Sequence, residues 1–131
     1  MIAGIGHDLC DIGRVEQLLA GAAGKRFCER VLTEEEQQLA AQLQGSRLAE
    51  FVAGRFAAKE AVVKALGCGI GAKAGFRDIA VLRGDEGRPV CRLSERSHRA
   101  LGLQAQLVIH VTITHERGLA SAFSVVERMP G

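Results

Sequence analysis

FVAGRFAAKEAVVKAL, residues 51–66, reads as a helix without a wet face. On a wheel of ~100° per residue, Leu48, Phe51, Val52, Phe56, Val62, Val63 and Leu66 form one broad apolar arc. Ala53, Gly54, Ala57, Ala58 and Ala61 make up most of the remainder. A helix that is apolar or small all round is buried, and its small face lets another backbone approach closely. The pattern predicts a helix from about Ser46 to Leu66, stopped at Gly67.

Four charges interrupt it. Arg55 and Lys59 fall within the apolar arc, Glu60 sits at its edge, and Lys64 follows one turn later. Burying an unpaired charge costs several kcal/mol, so each needs a counter-ion, a metal or a phosphate. One account pairs Glu60 with Lys64 at i,i+4 and lets Arg55 and Lys59 reach water along their stems. The other notes three cations around one carboxylate, a balance better suited to an anionic ligand.

Upstream, residues 1–9 alternate as a strand, with Ile2, Gly4, Gly6 and Asp8 on one face and Ala3, Ile5, His7 and Leu9 on the other. Asp11 is placed to cap a helix carrying Val15, Leu18 and Leu19, which leaves Asp8 free for other work. Glycines beside Asp8 admit a ligand or a second backbone. Magnesium takes one or two protein carboxylates and fills its other positions with water and phosphate oxygens, a count that Asp8 and Glu60 meet. Between these segments, Thr33 and Glu36 form a capping-box pattern opening a helix through Leu43.

Downstream, Gly67, Gly69, Gly71 and Gly75 mark a loop that follows a helix instead of opening one. It therefore fits neither a dinucleotide fingerprint nor a P-loop. It is either a helix C-cap with a connection, or a loop whose bare N–H groups approach a pyrophosphate near Lys73. Residues 77–83 and 88–93 read as paired strands around Asp85–Gly87, and Ser94 caps a short helix to Leu101. Residues 107–114 and 119–127 form a hairpin that turns at Glu116–Gly118. His110, Thr112 and Thr114 share the non-core face of its first strand, with His115 at the end, a set that is structural or binds phosphate. This order of elements predicts an α+β domain in which a largely antiparallel sheet packs on the long buried helix.

The 131 residues suit a single domain, 1–131, and 47% hydrophobic content is that of a folded chain. A net charge of +2, no tryptophan or tyrosine and five phenylalanines supply neither the charge nor the stacking platform for nucleic acid. Without a basic leader or an apolar run of ~18 residues, neither a signal peptide nor a membrane span is expected, which points to the cytoplasm. Cys10, Cys28, Cys68 and Cys91 are scattered, and reduced thiols fit that compartment better than two disulfides. No zinc-ligand spacing and no nucleophile–base pair is present, so covalent catalysis is not indicated.

Four segments, GIGHDLCDIGRVE (4–16), RFCERVLTEEE (26–36), EFVAGRFAAKEAVVKALGCGIG (50–71) and HVTITHERGLASAFSVVER (110–128), together resemble the holo-acyl-carrier-protein synthases. These are the small phosphopantetheinyl transferases of bacterial fatty-acid synthesis. The segments run in family order through nearly the whole chain, and 80–106 is the least distinctive part. Departures fall at His7, Cys68 and Thr112, none of them a charged site residue.

The resemblance implies the 4′-phosphopantetheinyl transferase fold. It also implies Mg²⁺-dependent transfer of 4′-phosphopantetheine from coenzyme A to a serine of apo-acyl carrier protein, releasing adenosine 3′,5′-bisphosphate. By position it makes Asp8 and Glu60 the metal ligands and Lys64 the cation beside the reacting phosphate. Arg47, Arg55, Gly67, Gly69, Gly71, Thr114 and His115 then hold coenzyme A. It further implies a homotrimer with active sites between subunits, and a basic surface including Arg14, Lys25 and Arg26 for the acidic carrier. The base that takes the serine proton is either a metal-bound water or Glu60 itself.

Overall fold

The computed structural model describes residues 1–102 and 106–130. At its centre runs helix α4, Gly45–Leu66, buried on most of its circumference. Val52, Val62 and Val63 expose no surface, and each such valine contributes about 1.5–3 kcal/mol by leaving water. The helix ends where Gly67 turns left-handed at φ 81, its N–H capping the carbonyls of Lys64 and Val63.

Strands β1 (Ile2–Asp11), β4 (Leu107–Glu116) and β5 (Leu119–Arg128) form an antiparallel sheet in the order β1-β5-β4, laid on α4. The β4–β5 turn has φ 52 at Arg117 and φ 78 at Gly118. Two successive positive φ angles make the type I′ hairpin turn, whose twist matches the strands it joins.

The two glycines of β1 decide how close the layers come. A Cβ on Gly4 would lie 1.9 Å from the Ala65 carbonyl oxygen, and one on Gly6 would lie 1.9 Å from that of Ala61. Only glycine on the strand against alanine on the helix permits this approach. Asp8, next on the same face, is thereby delivered to the flank of α4. Ile2 leaves the alternation because the β1–β5 register shifts between Ile2 and Gly4, and its side chain is exposed.

The remaining strands, β2 (Ile79–Arg83) and β3 (Pro89–Leu93), pair separately. The antiparallel content is therefore divided between two sheets. A 3₁₀ turn at Phe76–Asp78 occupies what the sequence suggests as the start of β2.

Four short helices complete the fold, and the expected caps are in place. Asp11 Oδ1 accepts from the Arg14 N–H at 3.1 Å to open α1 (Ile12–Ala20). Thr33 and Glu36 make both capping-box bonds, at 3.2 and 2.8 Å, for α3 (Glu34–Ala40), which stops short of Leu43. Ser94 caps α5 (Glu95–Ala100). Helix α2 (Gly24–Val31) is unannounced in the sequence because Ala23, before it, has no side chain to cap with. All four cysteines are free thiols, and among the described residues no helix is long and apolar enough to cross a membrane.

Candidate active site

The close fit of β1 on α4 places Asp8 beside Glu60 and Lys64. Lys64 Nζ donates to Asp8 Oδ1 at 3.0 Å and to the His7 carbonyl at 3.1 Å, so the pairing of Lys64 with Glu60 expected from i,i+4 spacing gives way to Asp8. Burial pushes the Glu60 carboxyl up, and the Asp8 charge pushes it further, while Lys64 pulls it down. Asp8 thus holds the Lys64 ammonium, and Glu60 lies close enough to feel both charges. Hard oxygen donors in this number suit a magnesium ion that keeps other positions for water and phosphate. Among the described residues no cluster of three or more His, Cys, Asp or Glu side chains forms, so a closed metal cage is not what the pair supplies.

Lys59 departs from expectation. It neither snorkels nor waits for an anionic ligand: fully buried, it donates to Glu36 Oε1 at 2.5 Å, to the Val31 carbonyl at 2.6 Å and to the Phe76 carbonyl at 3.0 Å. Its counter-ion is the capping-box glutamate, and no helical wheel of α4 reveals a partner 23 residues upstream. Arg55 is also buried. Its Nε donates to the Val81 carbonyl at 3.2 Å, and its guanidinium lies 4.2 Å over the Phe51 ring.

Arg55 opens into a second cleft. A pocket of about 360 Å³ is lined by Leu43, Arg47, Glu50, Phe51, Arg55, Arg83 and His115. Three of the residues expected to hold coenzyme A, Arg47, Arg55 and His115, therefore converge. His115 reaches the helix because Gly54 has no side chain; a Cβ there would meet the imidazole at 3.0 Å. Glu50 and Arg83 belong to the same pocket, and neither spacing nor periodicity singles them out.

Thr114 lies elsewhere. It lines a cleft on the opposite face of the sheet with Leu9, Thr112, Ser121 and Phe123. That face is open: Ile5 is 70% and Phe123 53% exposed, and the His7 ring stacks on Phe123 at 4.1 Å. The glycine loop follows Lys64 directly, with Gly67, Gly69 and Gly71 exposed and Gly69 at φ 69. Asp8 stands on one edge strand and His115 on the other, with β5 between them. The carboxylate pair and the arginine pocket thus border opposite edges of the three-stranded sheet and share helix α4 between them.

A third cleft, about 420 Å³, runs along α1 and is lined by Leu9, Arg14, Val15, Leu18, Phe27 and Phe56, among others. Arg14 is exposed on α1 at this cleft, and Lys25 and Arg26 are exposed on α2.

Comparison with known proteins gives one consistent result. A family model described as the 4′-phosphopantetheinyl transferase superfamily matches residues 4–121. A holo-[acyl-carrier-protein] synthase of Bacillus cereus is 43% identical over 129 residues, covering 98% of each chain. The crystal structure of a holo-(acyl-carrier-protein) synthase from Bacillus anthracis, in complex with CoA (3′,5′-ADP), superposes with a TM-score of 0.81 at 43% identity, covering 96% of each chain. The Helicobacter pylori holo-[acyl-carrier-protein] synthase in complex with coenzyme A superposes at 0.80 and 32% identity, covering 94% of this chain and 99% of that one.

Proposed function

Since the chain belongs to the 4′-phosphopantetheinyl transferase superfamily, among the holo-[acyl-carrier-protein] synthases, we propose that it carries 4′-phosphopantetheine from coenzyme A to apo-acyl carrier protein with Mg²⁺, serving fatty-acid biosynthesis in the cytoplasm. The observation that carries the reading is the meeting of Asp8, Glu60 and Lys64 where β1 closes on α4.

In this reaction the serine Oγ of the carrier bonds to the β-phosphorus of coenzyme A. The bond from that phosphorus to the bridging oxygen breaks, and adenosine 3′,5′-bisphosphate leaves. Asp8 and Glu60 would hold Mg²⁺, which would supply positive charge against that of the pyrophosphate. Lys64 spends two N–H groups on Asp8 and His7, and its third is directed to a phosphate oxygen. Such transfers depend mainly on positioning and charge stabilisation, and a preset lysine supplies both. Glu60, or a water held at the site, takes the serine proton.

Arg47, Arg55 and His115 grip the 3′-phosphate, and the N–H groups of Gly67, Gly69 and Gly71 line the path of the adenosine phosphates. One coenzyme A takes the two groups from neighbouring copies, with Asp8 and His115 on opposite edge strands of each chain. The open apolar face with Ile5, Leu9 and Phe123 supports a homotrimer, and Thr114 on that face reaches the ligand of the adjoining subunit. The groove beside α1, lined by Arg14, together with the exposed Lys25 and Arg26 of α2, receives the acidic carrier.

The test is direct. Apo-acyl carrier protein, coenzyme A and Mg²⁺ incubated with the enzyme yield carrier heavier by one phosphopantetheine. Competent carrier that gains no mass while coenzyme A still binds makes the chain a binding module instead.

A further inference from the structure

Glu36 does far more than its capping box requires. Such a glutamate needs one oxygen for the N-cap N–H, and an exposed one serves. Here the side chain is fully buried and both oxygens are used. Oε1 accepts from the Thr33 N–H and from Lys59, while Oε2 crosses to the Val81 N–H of β2 at 2.7 Å.

Val81 makes the connection to the arginine pocket. Its N–H is held by Glu36 and its carbonyl by Arg55 Nε. Both groups point away from β3, so this free edge of β2 is fastened to the body by two side chains. With Nε committed and Cζ seated over the Phe51 ring, the guanidinium keeps its two Nη groups, and it lines the pocket with Arg47, Glu50, Arg83 and His115. Charge points the same way. Glu36 is the anion that acts on both Lys59 and Arg55, so the buried group of two cations and one carboxylate keeps one positive charge over. Arg55 carries that charge to the pocket, where Arg47 and Arg83 stand with one carboxylate, Glu50.

We infer that Glu36 is a positioning residue for the phosphate pocket, fixing the guanidinium of Arg55 through the Val81 peptide while Lys59 holds the carboxylate in place. The inference rests on the reading of that pocket as the coenzyme A phosphate site. A glutamate on a neighbouring helix thus sets the affinity for coenzyme A without touching it.

The experiment is a double-mutant cycle on the full-length enzyme, with KM for coenzyme A and kcat measured separately. Glu36→Gln with Lys59→Met removes both buried charges together and leaves neither stranded. This pair is expected to raise KM for coenzyme A about tenfold with kcat within about threefold, and to add nothing once Arg55→Ala is present. Glu36→Asp keeps the charge but withdraws it by one methylene, and it completes the same cycle if the pair variant does not fold. A purely structural Glu36 multiplies its penalty onto that of Arg55→Ala, or lowers the melting temperature with KM unchanged; either result overturns the inference. Should Arg55→Ala alone leave KM unchanged, the pocket assignment itself fails.

Discussion

Glu60 stands on a helix whose other surroundings are alanine, valine and glycine, within reach of one like charge and one ammonium. Burial and Asp8 both disfavour its ionised form, and a divalent cation reverses that balance. Glu60→Gln keeps the size and removes the charge. It is expected to lower Mg²⁺ affinity about 10–100-fold or more and transfer with it, read as the Mg²⁺ dependence of the initial rate. Full activity of that variant at low Mg²⁺ would remove Glu60 from the metal. Lys59, its sequence neighbour, is a different case. It presents the same buried-charge pattern but is satisfied within the protein, by Glu36 and two carbonyls.

At the scale of elements, the interface of β1 with α4 is the most demanding contact. Gly6→Ala sets a methyl against the Ala61 carbonyl and moves strand or helix. The expected cost is about 3 kcal/mol, at the upper end of overpacking penalties, with transfer activity falling because Asp8 travels with the strand. A denaturant melt and an activity assay on one preparation check both. A gentler element-level effect involves Asp78, which closes the 3₁₀ turn before β2 and accepts from Ser94 and Arg96 at the start of α5. Burial alone would raise its carboxyl, but Arg96, Ser94 and the Gly75 N–H hold it down at about 2. A depressed carboxylate stabilises the fold at pH values above its unfolded value of 3.8, and that stabilisation is lost as pH falls toward 2. Melting temperatures of the native protein and Asp78→Asn should therefore differ at pH 5 and converge near pH 2.

At the scale of the molecule, Asp8 and His115 stand on opposite edges of a sheet whose outer face leaves Ile5 and Phe123 exposed. If a complete site forms between copies, Asp8→Asn enzyme is nearly inactive, and Arg55→Ala enzyme shows little transfer at coenzyme A concentrations far below its raised KM. Mixed through denaturation and refolding, they regain activity, because some interfaces join two native halves. No recovery in assembled mixtures would place the whole site within one chain. The same face predicts that Phe123→Glu yields smaller particles by sedimentation with the helical signal intact, since that ring packs on His7 and not in the core.

The sequence by itself determined the elements and the candidate chemistry. The apolar circumference of 51–66, the β1 alternation, three helix caps and the Gly67 stop all rest on local periodicity or on bonds spanning three or four residues, so they are legible from order alone. Asp8, Glu60 and Lys64 were readable as a candidate set chiefly through family resemblance, because two carboxylates 52 positions apart carry no spacing signal. What only the tertiary structure decided are the partners of the buried charges. Lys59 and Lys64 sit one and a half turns apart on one helix, yet the first closes on Glu36 and the second on Asp8. Which cation becomes mortar and which stays available to a phosphate depends on what packs against each side of α4, a long-range matter that no local pattern encodes. The placement of Asp8 and His115 on opposite sheet edges is likewise set by strand order, which periodicity leaves open.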